Sequence, residues 1–302
     1  MRNCYFCDSS NMNVSSSQRS IWFDHKIHRF FRCSNCHGFS LFPKLTPPQL
    51  TFLYSLEYVG CVDLESSNPE QIDNTKFSQL EEFIQNLKET KGKTFLDFGC
   101  GADPISFKIA KESELILIGM ELSQDVREIT KRNTGVEILS RDEVMRGDIS
   151  FDYVFLGDVL EHLVNPIFEL ESLKMVMSNN SKLIAQGPLQ GSRTFTHLLV
   201  RTFVWLTQGR KTSYPPYHVS LASSQSIRQL LRLAGFCVDR LDTFEVDWPA
   251  PTFKQVKSKF SVRGLLLFFA KQIDKVISGF YQPYGSRYFV VCSKLDEGIG
   301  CE

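Results

Sequence analysis

Apolar and polar positions change rhythm along this chain near residue 93. Beyond that point short apolar runs alternate with longer amphipathic stretches. Thr94–Phe98, Leu115–Met120, Val136–Leu139, Phe151–Leu156 and Leu183–Gln186 each read as a short buried strand. Helices are predicted between them. One begins at Asp103-Pro104, a capping residue followed by proline at the first helical position, another near Ser123, and a third at Asn165-Pro166. The third carries Leu170, Leu173 and Met177 inward. A helix over Ser224–Ala234 ends at Gly235, and strands follow near Phe236–Val246 and Arg287–Lys294. Strand–helix alternation of this kind predicts an α/β fold with a parallel, doubly wound sheet.

Ahead of residue 93 the pattern is different. Ile21-Trp22-Phe23 and Ile27–Phe31 read as two small strands. Pro43, Pro47 and Pro48 punctuate their exit. Leu50, Leu53, Tyr54 and Glu57 then recur at helical spacing, and residues 61–72 are polar and read as loop. Asp73–Glu89 is an amphipathic helix with Phe77, Leu80, Phe83, Ile84 and Leu87 on one face, Asp73 or Asn74 as cap and Gly92 behind its end. The expected organisation is a small ribbon over 1–45, a helical linker over 46–92 and an α/β domain over 93–302. Two stretches, 188–220 and 252–282, do not fit the sheet. The first holds the apolar run Thr196–Leu206. The second sets Lys254, Lys257, Lys259, Arg263, Lys271 and Lys275 around Leu265–Phe269. It reads as a basic amphipathic helix pair, either an insertion packed on its own domain or a peripheral membrane or partner contact.

Composition narrows the function classes. With 302 residues, 42% of them apolar or aromatic and 23% charged, the chain can bury a substantial core, which excludes a disordered or collagen-like polymer. Net charge is zero, so no global field draws in nucleic acid or an anionic membrane, and only a local basic patch could. The first residues, MRNCYFCDSS, lack the apolar stretch of a secretory leader, and no run approaches the ~18 to 20 apolar residues of a membrane span. A soluble cytoplasmic protein is expected, with contact at the inner membrane face through 252–282 as the one exception.

Nine cysteines without a secretory leader argue against a disulfide framework. Four of them form two CxxC pairs, Cys4/Cys7 and Cys33/Cys36, separated by 25 residues. Each tight CxxC turn aims two thiolates at one point, and two turns close a tetrahedral structural zinc site. Cys33–His37 also spells the haem-attachment pattern CxxCH, but that leaves the first pair unexplained. No thioredoxin-like βαβ unit surrounds either pair to suggest redox chemistry. With four sulfurs in place, His25, His28 and His37 are expected at the ribbon surface rather than as ligands.

The first strand of the α/β region runs into Asp97-Phe98-Gly99-Cys100-Gly101. Glycines there allow close backbone approach to a ligand, and the next helix offers its free N–H groups. A dinucleotide site wants a third glycine where this chain has Pro104, and Asp97 would repel a pyrophosphate but suit a cationic group such as an ammonium. The second strand ends in Gly119-Met120-Glu121, 24 residues after Asp97, where a carboxylate can accept hydrogen bonds from both ribose hydroxyls. The fourth ends in Gly157-Asp158-Val159-Leu160-Glu161-His162, at the crevice where open α/β sheets bind ligands. His162 can take a proton near neutral pH or else only order the loop, and Glu161 can orient it or act as the catalytic group itself.

FLDFGCG, the glutamate after the second strand and FDYVFLGDVLEHLVNP together resemble a class I S-adenosylmethionine-dependent methyltransferase. The resemblance is to the bacterial group whose fourth strand ends in "LEH" and whose members often follow an N-terminal zinc ribbon. CSNCHGFSLFPKLTPPQLTFLY and PYHVSLASSQSIRQLLRLAGF match that group too. The likeness covers nearly the whole chain apart from 188–212 and 252–282, and departs at Asp103, where many members carry glycine. It implies a Rossmann-like seven-stranded sheet with an antiparallel hairpin at its end. It places Asp97, Gly99 and Gly101 at the methionine end of S-adenosylmethionine, Glu121 at the ribose, Asp142 near the adenine, and Gly157 and Asp158 on the methyl-transfer side. It also implies a small-molecule acceptor, such as a sugar of a surface glycan or its lipid-linked precursor, methylated on oxygen. Asp158, Glu161, His162 and His218 resemble the magnesium or manganese set of small-RNA 2'-O-methyltransferases. RNA methylation is therefore the first alternative, disfavoured by neutral charge. A non-catalytic ribbon-and-cofactor interaction module is the second.

Overall fold

The computed structural model describes residues 2–15, 17–18, 20–54, 74–102, 104–190, 194–206, 216–246, 262–282 and 284–295. The chain divides into two compact units. One contains 1–44, 187–230 and 241–288, and the other contains 45–186, 231–240 and 289–302. The ribbon therefore shares a unit with the two stretches that do not fit the sheet, and 45–92 shares one with the strands that follow it.

The second unit is built on a seven-stranded sheet. Its strands are β5 (Thr94–Phe98), β6 (Ile116–Met120), β7 (Glu137–Leu139), β8 (Phe151–Gly157), β9 (Met177–Pro188), β11 (Phe236–Phe244) and β12 (Arg287–Lys294), in the order β11-β12-β9-β8-β5-β6-β7. The five strands from β5 to β9 pair in parallel. Parallel strands covered on both faces read as continuous apolar runs, and Phe95, Leu96, Phe155 and Leu183 are all buried. Every strand expected from the sequence forms. The fold is Rossmann-like, as the alternation predicted.

The helices of this unit are α1 (Pro47–Leu53), α2 (Ser78–Gln85), α3 (Ile105–Ala110), α4 (Gln124–Thr134), α5 (Arg141–Met145) and α6 (Pro166–Val176). Ser123 caps α4 as expected, accepting from the Val126 N–H, and Gly135 closes it at φ 71°. Three details differ from the sequence reading. Asn74–Phe77 is a 3-10 turn, so the α-helix starts only at Ser78. Pro104 caps α3 instead of opening it, and Asp103 lies outside the described residues. Met177 does not ride on α6 but opens β9, six residues before the expected start at Leu183. The polar run Met177–Lys182 masks this strand, whose Ser178 Oγ donates to Asp152 Oδ1 at 3.2 Å. The expected loop over 61–72, Glu57, Cys61 and Lys254–Lys259 also fall outside the described residues.

In the other unit β1 (Met12–Val14), β2 (Ile21–Phe23), β3 (Lys26–Cys33), β4 (Phe39–Phe42) and the short β10 (Ser220–Leu221) pair antiparallel. The two expected small strands are β2 and the centre of β3. Helix α8 (Ser224–Leu233) ties the later segment to the second cysteine knuckle. Ser223 Oγ donates to the Cys36 carbonyl at 2.9 Å and Gln225 Nε2 to the Asn35 carbonyl at 3.0 Å. Gly38 allows this packing, because a Cβ there would lie 2.6 Å from the Phe6 ring.

Candidate functional site

Cys4, Cys7, Cys33 and Cys36 converge within the ribbon, with all four sulfurs inside 4.8 Å of one another. Cys4 Sγ lies 3.5 Å from Cys36 Sγ, and Cys7 Sγ lies 3.6 Å from Cys33 Sγ. A tetrahedral zinc with bonds of about 2.3 Å needs sulfurs about 3.8 Å apart, close to this spacing. The two knuckles are built alike. The Asp8 N–H donates to the Cys4 carbonyl and the His37 N–H to the Cys33 carbonyl, and both Asp8 and His37 take positive φ. Four soft thiol donors in a closed, largely buried shell suit zinc. His28 contacts the Pro43 carbonyl through Nδ1 and contributes to no cysteine cluster.

A second candidate lies wholly in the sheet-bearing unit. A cavity of about 320 Å³ opens at the C-terminal ends of the parallel strands, lined by Phe98, Gly99, Glu121, Asp158, Tyr54 and His162 among others. This is where an α/β crevice takes ligands. The turn after β5 is tied to the end of β6, since the Gly99 and Cys100 N–H groups both donate to the Met120 carbonyl. Gly99 and Gly101 take φ of 82° and 66°. A Cβ on Gly99 would lie 2.8 Å from Val159 Cγ2, whereas one on Gly101 would meet nothing within 4 Å. The backbone is therefore bare at Gly101.

Glu121 is held rigidly. Oε2 accepts from the Gly101 N–H at 3.1 Å, and Oε1 accepts from the Leu122 and Ser123 N–H groups at 2.7 and 3.2 Å. Asp97 does not line the cavity. It is buried on β5 and accepts a short hydrogen bond from Ser106 Oγ of α3. Burial pushes its carboxyl up to about 7, against the Ser106 hydrogen bond and with help from the nearby Glu121 charge.

On the β8 side, Asp158 takes a left-handed φ of 56° and its N–H donates to the Gln186 carbonyl. Its carboxylate pairs with the Lys76 ammonium. Leu160–His162 forms a 3-10 turn that presents His162 to the cavity. The His162 ring meets the Tyr54 ring edge-on at 6.0 Å between centroids. Glu161 is buried behind it, with a carboxylate oxygen within 4.8 Å of a His162 ring nitrogen. His218 belongs to the other unit.

Of the residues singled out in the sequence, Gly99, Glu121, Asp158 and His162 line the cavity, while Asp97, Gly101, Gly157 and Glu161 are not among its lining residues. Asp142 is exposed on the first turn of α5. Its neighbour Arg141 lines the cavity instead, paired with Glu169 at 2.9 Å. Sequence reasoning did not find Arg141, Glu169, Lys76, Leu50 or Tyr54. Helical spacing flagged Leu50 and Tyr54, but nothing local could place α1 at the strand ends.

Residues 72–241 match the protein family described as a methyltransferase domain. No curated protein matches the sequence. Solved structures do. A chain from the Haloferax volcanii complex that contains the Trm112 methyltransferase activator is 12% identical, covering 76% of this chain and 95% of that one with a TM-score of 0.53. A SAM-dependent methyltransferase from Archaeoglobus fulgidus is 18% identical, covering 73% and 93% with a TM-score of 0.47.

Proposed function

The chain belongs to the methyltransferase-domain family and is an S-adenosylmethionine-dependent methyltransferase, and we propose that it methylates an oxygen of a saccharide or other small acceptor. The observation that carries this reading is the cavity at the strand ends, with a fixed carboxylate at the tip of β6 and an imidazole at the tip of β8.

The residues fit the cofactor's chemistry. Glu121 would accept from both ribose hydroxyls, its rotamer already locked by three backbone amides. Gly99 and Gly101 would let the chain approach the methionine portion closely. Asp97, buried next to that turn, would favour a cationic end electrostatically without lining the cavity. When bound, the cofactor supplies a methyl group already activated on a sulfonium, so the protein's task is to position and desolvate the acceptor. Leu50, Tyr54 and Val159 give that side an apolar wall that excludes water. His162 would take the acceptor's hydroxyl proton on a ring nitrogen, with Glu161 orienting the ring and Tyr54 limiting its tilt. Asp158 would line the transfer side, with Gly157 at the end of β8 leading to it. The ribbon cysteines would hold one structural zinc.

Calorimetric titration with S-adenosylhomocysteine tests the cofactor reading. The wild type is expected to bind in the micromolar range. Glu121→Ala is expected to bind at least roughly a hundredfold more weakly, because two hydrogen bonds to a charged group, each ~1.5–3 kcal/mol, disappear. No binding by folded, zinc-loaded protein would leave a non-catalytic interaction module as the better account.

His162→Gln separates base catalysis from loop ordering. Its kcat is expected to fall by roughly 10²–10⁴ with cofactor affinity unchanged, and the acid limb of the pH–rate profile should vanish. An unaltered profile would reduce His162 to a structural role. The Glu161–His162 pair also favours a second reading, a bound magnesium or manganese over an RNA diol. Activity that survives excess chelator with the ribbon zinc intact would exclude it. Tight, steeply salt-dependent RNA binding would favour it.

A further inference from the structure

Helices α7 (Phe195–Leu206) and α9 (Val262–Ser278) form an antiparallel pair within the ribbon-bearing unit. Asp274 of α9 caps the start of α7, accepting from the Phe195 and Thr196 N–H groups at 2.8 Å each. Near the other end the Arg263 guanidinium stacks 5.0 Å from the Phe203 ring. The inner face of α9 is polar where it must be. Lys271 pairs with Glu245, and Asp274 is fully buried.

The outer face is apolar. Val262, Leu266, Phe269, Ile273, Val276 and Phe280 are all exposed, at successive spacings of four and three residues. They form one stripe along the whole helix and past its end. On α7, Phe195, Leu198 and Trp205 repeat the pattern. Soluble surfaces rarely leave so contiguous an apolar patch to water. Among the described residues, the charges beside the stripe on α9 are cations. The acids of this pair, Asp274 and Glu245, are turned inward, while Arg263 and Lys275 flank the outer stripe. From Trp248 to Ile273 the sequence contains no acid and five bases; of these Lys271 is the buried partner of Glu245, and Lys254, Lys257 and Lys259 lie outside the described residues.

From this we infer that the α7–α9 face lies on an anionic lipid surface. An apolar stripe rimmed by cations, with Trp205, Phe280 and Tyr281 at its borders, has the chemistry of an interfacial helix. Such a helix lies in the headgroup plane and does not span. None of the described helices is long and apolar enough to cross a membrane. Each cation near the surface adds attraction to acidic headgroups, and the stripe adds apolar burial. The inference does not rest on the methyl acceptor, and its test uses neither cofactor nor acceptor.

Full-length protein is floated with vesicles of phosphatidylcholine alone or with phosphatidylglycerol at 30 mol% (about the anionic content of many inner membranes). Binding is expected only to the anionic vesicles and is expected to weaken with added salt. The triple variant L266S/I273S/V276S should lose at least roughly tenfold in partitioning. The charge reversal R263E/K275E should lose a similar factor. Leu266, Ile273 and Val276 are exposed, so the triple variant must retain the wild-type melting temperature, and the charge reversal, which also removes the Arg263 stack on Phe203, is compared only after its melting temperature is measured. Equal partitioning of wild type and both variants overturns the inference. So does a concentration-dependent dimer, lost in the triple variant, with no vesicle binding by the wild type, which would give the stripe to a second copy of the chain.

Discussion

Cys33→Ser is expected to strip the metal and unfold the ribbon. Purified wild-type protein should carry one zinc per chain by elemental analysis, and the variant close to none. Structural zinc in small ribbons and fingers contributes on the order of 10 kcal/mol of folding free energy, so the variant should be largely insoluble or lose its protease resistance over the first 44 residues. Cys33 is the most telling choice because it does more than offer a sulfur. It is fully buried, closes β3, donates its N–H to the Gly38 carbonyl and accepts from the His37 N–H. Cys7 is less enclosed, with Asn35 Nδ2 donating to its sulfur at 3.6 Å, so Cys7→Ser should be milder. Unchanged metal content and melting temperature in Cys33→Ser would remove zinc from the account.

Asp97→Asn should change stability and cofactor binding in opposite directions. The carboxyl is raised from 3.8 to about 7 in the folded state, chiefly by burial. Between those values the folded protein binds more protons than the unfolded one. Stability of the ligand-free protein therefore falls as pH rises from ~4 to ~7 and is flat beyond, by linkage. Three units correspond to about 4 kcal/mol as an upper bound. Asp97→Asn removes that loss. It should melt higher than wild type at pH 8, and the gap should shrink by pH 5. A cationic ligand end favours the ionised acid, so wild-type binding should release a proton near pH 6. Calorimetry in buffers of different ionisation enthalpy reads that release. The variant should show none and bind at least tenfold more weakly. A variant that binds normally would reduce Asp97 to an anchor for Ser106.

Much of this was open to local reasoning. Strand–helix alternation, the glycines after β5, the acid after β6 and the paired CxxC turns are signals carried within a few residues. What escaped depends on distance in sequence. Tyr54 meets His162 across more than a hundred residues, and Lys76 reaches Asp158 across more than eighty. No periodicity encodes either meeting. The early start of β9 escaped for another reason. Its first residues are polar because Ser178 and Lys182 serve hydrogen bonds to Asp152 and Asp239, so they lack the apolar signature of a buried strand. Helix α5 is not among the expected helices, and the resemblance alone places Asp142 near the adenine. The capping box of α5 turns Arg141, not Asp142, into the cavity.

The ribbon-bearing unit is drawn from three separate stretches of chain, ending at residue 288. On the ribosome Ser223 and Gln225 follow Cys36 by nearly 190 residues. At roughly 5–20 residues per second that is a wait of about ten to forty seconds. During it the knuckles can close only on each other, because Ser223 and Gln225, which tie down the second knuckle, have yet to be synthesised. Metal capture by the four cysteines would thus come first, and the nascent chain would carry a finished clasp long before the surface it fastens exists.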